Sequence, residues 1–443
     1  MTASPPFAPP RDRAARALWR VDDPTGLPVP RYDGRSIVNL AVSVHRAGGG
    51  DRSPRAVLAP PLDPDLDPFG GRSHPGPIVV FLVDGLGWAP FREWASTAGA
   101  AAETWAGHAR PITTVFPSTT TAALVSLSTG VAPGRHGLIG YRQYLPKFGV
   151  VGDMLSMSPV GSTQRDALIG PSWTPSTLTA APTLFRQGLR TTALTRDIFE
   201  GTGFTRLLYD GAEFVGYATA THLVHQLAAL LQRPRPPRVV FLYWADLDTI
   251  QHLVGPHPGR FHMEMDRLVD LLERTAAEVG PRVARSVTFA ITGDHGQVRA
   301  NPAKRVAVDE EPAILREMVR PLAGDRRAGF FAARPHRVAA LTEALQRRLA
   351  PGTPVVGREE VARAGLFGPG PFHPELEERV GDVIAFVRAP ECLTYLPPGA
   401  HPPKRFLLGA HGGVDAEELV VPLVSGSLAE LGARAARARS TKR

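Results

Sequence analysis

The sequence predicts an α/β protein: a three-layer α/β/α sandwich on a mostly parallel central sheet, with a small inserted cap. Three apolar runs carry that prediction, PIVVFLVDG from 77 to 85, VVFLYWADLD from 239 to 248 and SVTFAITGDHG from 286 to 296. Each is short, continuous and closed by turn residues, the pattern of parallel strands buried on both faces. Between the second and third lies FHMEMDRLVDLLERTAAEV, with apolar residues at helical spacing. All three runs end in acidic residues, and open α/β sheets bind ligands outside the carboxyl ends of their strands.

The core is expected over 75–300. Within it, RDALIGPSWTPSTLTAAPTLFRQGL and its surroundings read as loops and helices over the sheet edge. From Asn301 the pattern changes. PHRVAALTEALQRRLA and EEVARAGLF read as helices and RAGFFAAR and DVIAFVRA as strands, so 301–405 is read as an inserted cap, with 406–430 returning to the core. Residues 1–74 read as a partly flexible N-terminal extension, with 1–30 and 47–76 rich in Pro, Gly, Arg and Asp. Residues 431–443 read as a flexible basic tail.

Charged residues make up 21% and apolar ones 43%, which excludes a chain disordered throughout. The net charge of +8 invites a nucleic-acid reading. Arginine is spread along the chain, however, and no zinc-finger, RRM or helix-turn-helix signature accompanies it. The same field would attract any small phosphate ester as readily. No 18-residue apolar run appears, so no membrane segment is expected. Without a signal-type stretch, and with Cys392 as the single cysteine, the expected address is the cytoplasm. Nothing in the sequence fixes an oligomeric state.

Five short patches hold the residues that carry chemistry: Asp84, Thr120, Asp248 with His252, Asp294 with His295, and His411. Two divalent cations about 3.5–4 Å apart need a few carboxylates and imidazoles that leave coordination positions open, and this inventory supplies them. Imidazole favours zinc over magnesium or calcium; zinc is expected at both positions, with manganese the alternative. The patch TTVFPSTTTAALVSLSTG offers four hydroxyls, on Ser118, Thr119, Thr120 and Thr121, ahead of a helix-like run that Gly130 closes. A hydroxyl at a helix N-terminus meets free backbone N–H groups and the positive dipole end, which stabilise an alkoxide and an incoming phosphate. His136, before Gly137, reads as a turn residue, and His257, His262 and Asp266 as a solvated helix face. No GxGxxG after a strand and no GxxxxGK[ST] loop is present.

In identity and order these patches resemble the type I phosphodiesterase and nucleotide pyrophosphatase branch of the alkaline phosphatase superfamily. Asp84-Gly85 follows the first strand. Phe116 to Thr120 matches Phe-Pro-x-x-Thr, with Thr129-Gly130 and Pro133-Gly134-Arg135-His136-Gly137 after it. Asp248 and His252 precede Gly255-Pro256, Asp294-His295-Gly296 follows, and His411-Gly412 stands ahead of Val421-Pro422-Leu423. The resemblance implies an alkaline phosphatase-like fold and selects Thr120 as nucleophile. It assigns one metal to Asp248, His252 and His411, and the other to Asp84, Asp294, His295 and the Thr120 oxygen.

Relatives commonly carry, after the His-Gly, an Asn that helps bind a phosphate oxygen. Here Gly137-Leu138-Ile139-Gly140-Tyr141 stands instead, and Tyr141 and Arg142, or Lys147, are the substitutes considered. Thr121-Ala122-Ala123 also replaces the Phe-Pro-Asn that often follows the nucleophile. The expected activity is cleavage of phosphodiester or pyrophosphate bonds through a phosphothreonine. Phosphomonoester or phosphonate hydrolysis is the alternative within the superfamily. A silent metal-binding protein would be expected to lack a ligand or the nucleophile, and none is lacking.

Overall fold

The computed structural model describes residues 7–22, 24–50, 58–97, 99–400 and 404–433. Seven strands form the central sheet: β1 Ile78–Val83, β2 Ala109–Thr113, β3 Thr191–Arg196, β4 Glu213–Tyr217, β5 Val239–Trp244, β6 Thr288–Thr292 and β7 Val420–Ser427. Their order is β2-β7-β6-β1-β5-β3-β4. β7 runs antiparallel to β2 and β6, and the other neighbouring pairs are parallel. The three apolar runs are therefore the adjacent strands β6, β1 and β5, with Leu82 level with Thr292 and Val83 level with Trp244.

Side chains alternate between two buried faces, as the two-residue period of a strand requires. Val79, Phe81 and Val83 enter one cluster with Val240, Leu242, Phe289 and Ile291, while Ile78, Val80 and Leu82 enter the other with Val239, Phe241 and Ala290. The helices that position the site or cover these faces include α1 Ile37–Ala47, α2 Thr120–Thr129, α3 Ala220–Gln232, α4 Asp246–Val254 and α5 Pro258–Ser286. α3 and α5 lie on the first face, α1 and α2 on the second. The helix expected over 261–279 is the body of α5, which kinks at Gly280 ahead of Pro281.

A second sheet is antiparallel between neighbouring strands. It joins Arg142–Leu145, Val150–Asp153 and Ser158–Pro159 to Ala323–Gly324, Ala328–Phe331, Val383–Phe386 and Val355–Gly357. Strands and helices of 301–405 fall in the stretches expected for them. Part of the segment expected as loops and helices is nevertheless strand, because 142–159 pairs onto Ala323–Gly324.

The N-terminal stretch is better packed than its composition predicts. Phe7, Leu27 and Val29 are buried with Phe116, Phe330 and Phe367 in one cluster. Isolated large apolar residues among prolines carry no periodicity, yet they still bury. The basic tail from 434 onward lies outside the described residues. Among the described residues, no helix is long and apolar enough to cross a membrane.

Candidate active site

The carboxyl ends of β6, β1 and β5 open on one crevice. Asp84 follows β1 directly, and Asp294 and His295 follow β6 after Gly293. α4 begins just past β5 and sets Asp248 and His252 one turn apart on one face. His411 arrives on the loop ahead of β7, where Gly412 has φ +104° and a Cβ would lie 2.3 Å from the Asp325 Cβ, so the approach needs glycine.

All six predicted ligands meet. His252 Nε2 lies 3.4 Å from Asp248 Oδ2 and 3.2 Å from His411 Nε2. His295 Nε2 lies 3.5 Å from both Asp84 Oδ1 and Asp294 Oδ2. The rings of His295 and His411 stack at 3.7 Å and 12°. Among the described residues, two groups offer donor atoms within 4.8 Å of one another: Asp248, His252 and His411, and Asp84, Asp248 and His295. Asp248 belongs to both, whereas the resemblance gave it to the first alone; Asp294 adjoins the second through His295.

The chemistry of these donors fits cations. His252, His411 and His295 each place Nδ1 on a backbone carbonyl, of Gly409 at 3.0 Å, Ser118 at 3.1 Å and Gly296 at 3.1 Å. A carbonyl only accepts, so Nδ1 carries the proton and each Nε2 lone pair faces the crevice. Asp84 Oδ1 and Asp294 Oδ2 are buried without hydrogen-bond partners among the described residues. Burial, followed by the charges of Asp294 and Asp248, raises the Asp84 carboxyl well above the usual range, and burial also raises Asp248. Burial, then His295 and His252, holds His411 well below the usual imidazole range. Crowded carboxylates and inward lone pairs of this kind are what bound cations relieve.

The hydroxyl patch resolves in the same crevice. Ser118 Oγ donates to the Gly413 carbonyl at 2.8 Å, Thr119 Oγ1 to Asp325 Oδ1 at 3.0 Å and Thr121 Oγ1 to the Gly140 carbonyl at 2.9 Å. Thr120 Oγ1 instead lies 3.2 Å from His295 Nε2. Thr120 opens α2, whose N-cap is Thr119, so its hydroxyl belongs to the first turn, where backbone N–H groups have no intrahelical partner.

Arg142 is engaged away from the ligands, by Asp153 at 3.0 Å and the Tyr395 carbonyl at 2.7 Å. Tyr141 contributes its backbone N–H, to Asp325 at 3.2 Å, and its ring is partly exposed. Lys147 donates to the Thr177 carbonyl at 3.5 Å. His136 is fully buried, with Nε2 2.9 Å from Ser126 Oγ and Nδ1 accepting from the Leu138 N–H at 3.1 Å, a structural role as expected. Asp266 is not simply a solvated residue, since it accepts from the Trp94 indole at 3.1 Å.

Three site residues escaped the sequence reading. The Tyr243 hydroxyl donates to Asp84 Oδ2, and Gln297 Nε2 donates to Asp248 Oδ1. Asp325, on the turn between Ala323–Gly324 and Ala328–Phe331, meets Thr119 and Tyr141, and burial pushes its carboxyl up to about 7. Gln297 directly follows Asp-His-Gly and Tyr243 sits near a strand end, which were available signals; Asp325 had none.

A model of the family described as type I phosphodiesterase / nucleotide pyrophosphatase matches residues 78–413, spanning every ligand above. The chain belongs to that family. It is thereby a phosphoester hydrolase of the alkaline phosphatase superfamily, with that superfamily's fold. No curated protein matches it. Among solved structures it is similar to murine ectonucleotide pyrophosphatase / phosphodiesterase 5, at 18% identity over 79% of this chain and 87% of that one, TM-score 0.57. An inactive form of the murine protein in complex with AMP aligns at 17% identity over the same shares, TM-score 0.56. Phosphonoacetate hydrolase from Sinorhizobium meliloti 1021 aligns at 19% identity over 80% of this chain and 91% of that one, TM-score 0.55. At these identities the likeness speaks for the fold.

Proposed function

We propose that this family member is a two-metal hydrolase that cleaves phosphodiester or pyrophosphate bonds through a phosphothreonine at Thr120. The observation that carries the reading is the Thr120 hydroxyl, 3.2 Å from His295 Nε2 while its three hydroxyl neighbours are bonded elsewhere. Asp248, His252 and His411 would hold one cation, and Asp84, His295 and Asp294 the other, with Asp248 near both. Zinc suits this mixed donor set, with manganese the alternative. When bound, the cations supply charge neutralisation at the phosphoryl group and lower the pKa of oxygens they touch.

The chain's own residues do the rest. Thr120 gives its hydroxyl proton to water and Oγ1 attacks phosphorus, its P–O bond forms as the ester P–O bond breaks, and the leaving alkoxide takes a proton back from water, so that no net proton is gained or lost. Backbone N–H groups at the start of α2 receive phosphoryl oxygens, a role for which Arg142, engaged by Asp153 and Tyr395, is not needed. Tyr243 and Gln297 fix the rotamers of Asp84 and Asp248. Water then attacks the phosphothreonine, releasing the phosphomonoester and returning the hydroxyl. A reducing compartment, the cytoplasm, suits the buried free Cys392.

Thr120→Val tests the reading, because it removes only the attacking oxygen. Turnover of a diester should fall by at least about a thousandfold while zinc stoichiometry is retained. Equal activity in the variant would move the nucleophile elsewhere. Comparing specificity constants for diesters, dinucleotides, monoesters and phosphonates separates the proposed bond class from its neighbours.

A further inference from the structure

A cavity of about 150 Å³ opens beside the nucleophile, with Thr120 and Tyr243 in its wall. Five of the other lining residues are apolar: Leu124, Leu155, Phe204 and Leu208 form the sides, and Phe199 faces the Tyr243 ring at 6.4 Å between centroids. An apolar cavity of about 150 Å³ is known to hold one benzene ring. That is one ring, where a nucleoside needs space for a base and a sugar.

The polar groups of the wall narrow the class further. No carboxylate lines it, so a quaternary ammonium group would find no counter-charge, and no carboxamide lines it to read the edge of a base. Arg165 stands exposed at the mouth and donates to the Leu155 carbonyl at 3.2 Å. Thr202, Thr205 and Tyr209 also line it, but the Thr202 hydroxyl is engaged by the Phe199 carbonyl and by Thr205 Oγ1, both at 3.0 Å, whereas Thr195 is 1% exposed and its Oγ1 has no hydrogen-bond partner among the described residues. A buried unpaired hydroxyl favours a ligand atom that pairs with it.

We propose that this cavity selects the substrate, and that it takes one compact uncharged ring carrying a single hydrogen-bonding substituent, borne on an ester oxygen of the phosphorus centre. The substrate class is then aryl phosphodiesters rather than nucleotides or phosphocholine esters. This inference rests on the hydrolase reading above only for what happens after binding.

Calorimetric titration of the metal-loaded full chain tests it without turnover. The probes are phenylphosphonate, its three hydroxyphenyl isomers, methylphosphonate, AMP and phosphocholine. Phenylphosphonate should bind at least tenfold tighter than methylphosphonate, AMP or phosphocholine, and one hydroxyphenyl isomer tighter still. Leu155→Trp, at the half-buried mouth, should erase the advantage of the ring and leave methylphosphonate binding unchanged, and Thr195→Val should erase only the gain from the hydroxyl. AMP or phosphocholine binding as tightly as phenylphosphonate in the unmodified chain would overturn the proposal, whatever the variants do. So would a ring advantage that survives Leu155→Trp, or the absence of a hydroxyl gain at every ring position. Ring-selective binding with no hydrolysis of any ester would instead sink the hydrolase reading and leave the cavity's selectivity standing.

Discussion

At the residue scale the site is a problem of like charges held close. Asp84, Asp248 and Asp294 converge under burial, and one oxygen each of Asp84 and Asp294 has no hydrogen-bond partner among the described residues. Their remaining oxygens are committed: Asp84 Oδ2 to the Tyr243 hydroxyl, and Asp294 Oδ1 to the N–H groups of Gly85 and His295, both at 3.0 Å. Tyr243 therefore aims the free oxygen of Asp84, and its loss lets the carboxylate turn. Tyr243→Phe is expected to weaken metal affinity or activity about 10–100-fold with little loss of fold. A zinc competition titration reads it; unchanged affinity would mean that Asp84 holds its rotamer without the tyrosine. The ligands themselves were legible because strand-end acids and imidazoles in a fixed order are a one-dimensional pattern. Tyr243 stood near a strand end beside them and could have been found, whereas Asp325 could not, because its role comes from partners brought near only by the fold.

At the element scale, α2 explains how a threonine comes to stand at the centre of the crevice. All its residues are buried, so neither a polar face nor a hydrophobic period marks it, yet Thr119 and Gly130 bound it as a cap and a stop should. Gly130 has φ +69° and its N–H closes on the Ser126 carbonyl. Gly130→Ala should cost about 1–2 kcal/mol, read as a lower denaturant midpoint at unchanged slope. His136 supports the same helix through Ser126, and burial pushes its imidazole down to about 3. Protonation would set a second donor against the Leu138 N–H. The unfolded chain binds that proton below about 6.5 and the folded chain only near 3, so stability falls as pH drops through this window. The contribution is on the order of a few kcal/mol, and His136→Gln should flatten the fall between pH 7 and pH 4 in denaturant titrations. The second sheet was legible only in part: Ala328–Phe331 and Val383–Phe386 fall in stretches expected as strands, but the other strands did not show. Its strands at 142–159 are short, and their pairing with Ala323–Gly324 leaves no local trace.

At the scale of the whole molecule, the second sheet and the metal crevice are tied by one buried ion network. Arg327, preceding the strand Ala328–Phe331, has no exposed side-chain surface. It donates to Asp415, to the Glu391 carbonyl at 2.7 Å, and lies 3.5 Å from Glu418. Glu418 in turn accepts from the Gly413 N–H at 2.9 Å, and so braces the loop that carries His411. Burial pushes the Glu418 carboxyl up to about 7 even with Arg327 beside it. Removing the guanidinium alone strands an acidic pair in the interior, which costs about 3–5 kcal/mol, whereas apolar replacement of a whole buried pair is often near neutral. Arg327→Met should therefore destabilise strongly and weaken zinc binding at His411, and adding Glu418→Gln should recover part of the stability. A double-mutant cycle in denaturant measures the coupling. If the two effects simply add, the network does not link the second sheet to the His411 loop. If stability is recovered but zinc affinity is not, Glu418 acts on the loop through Gly413 as well as through its charge.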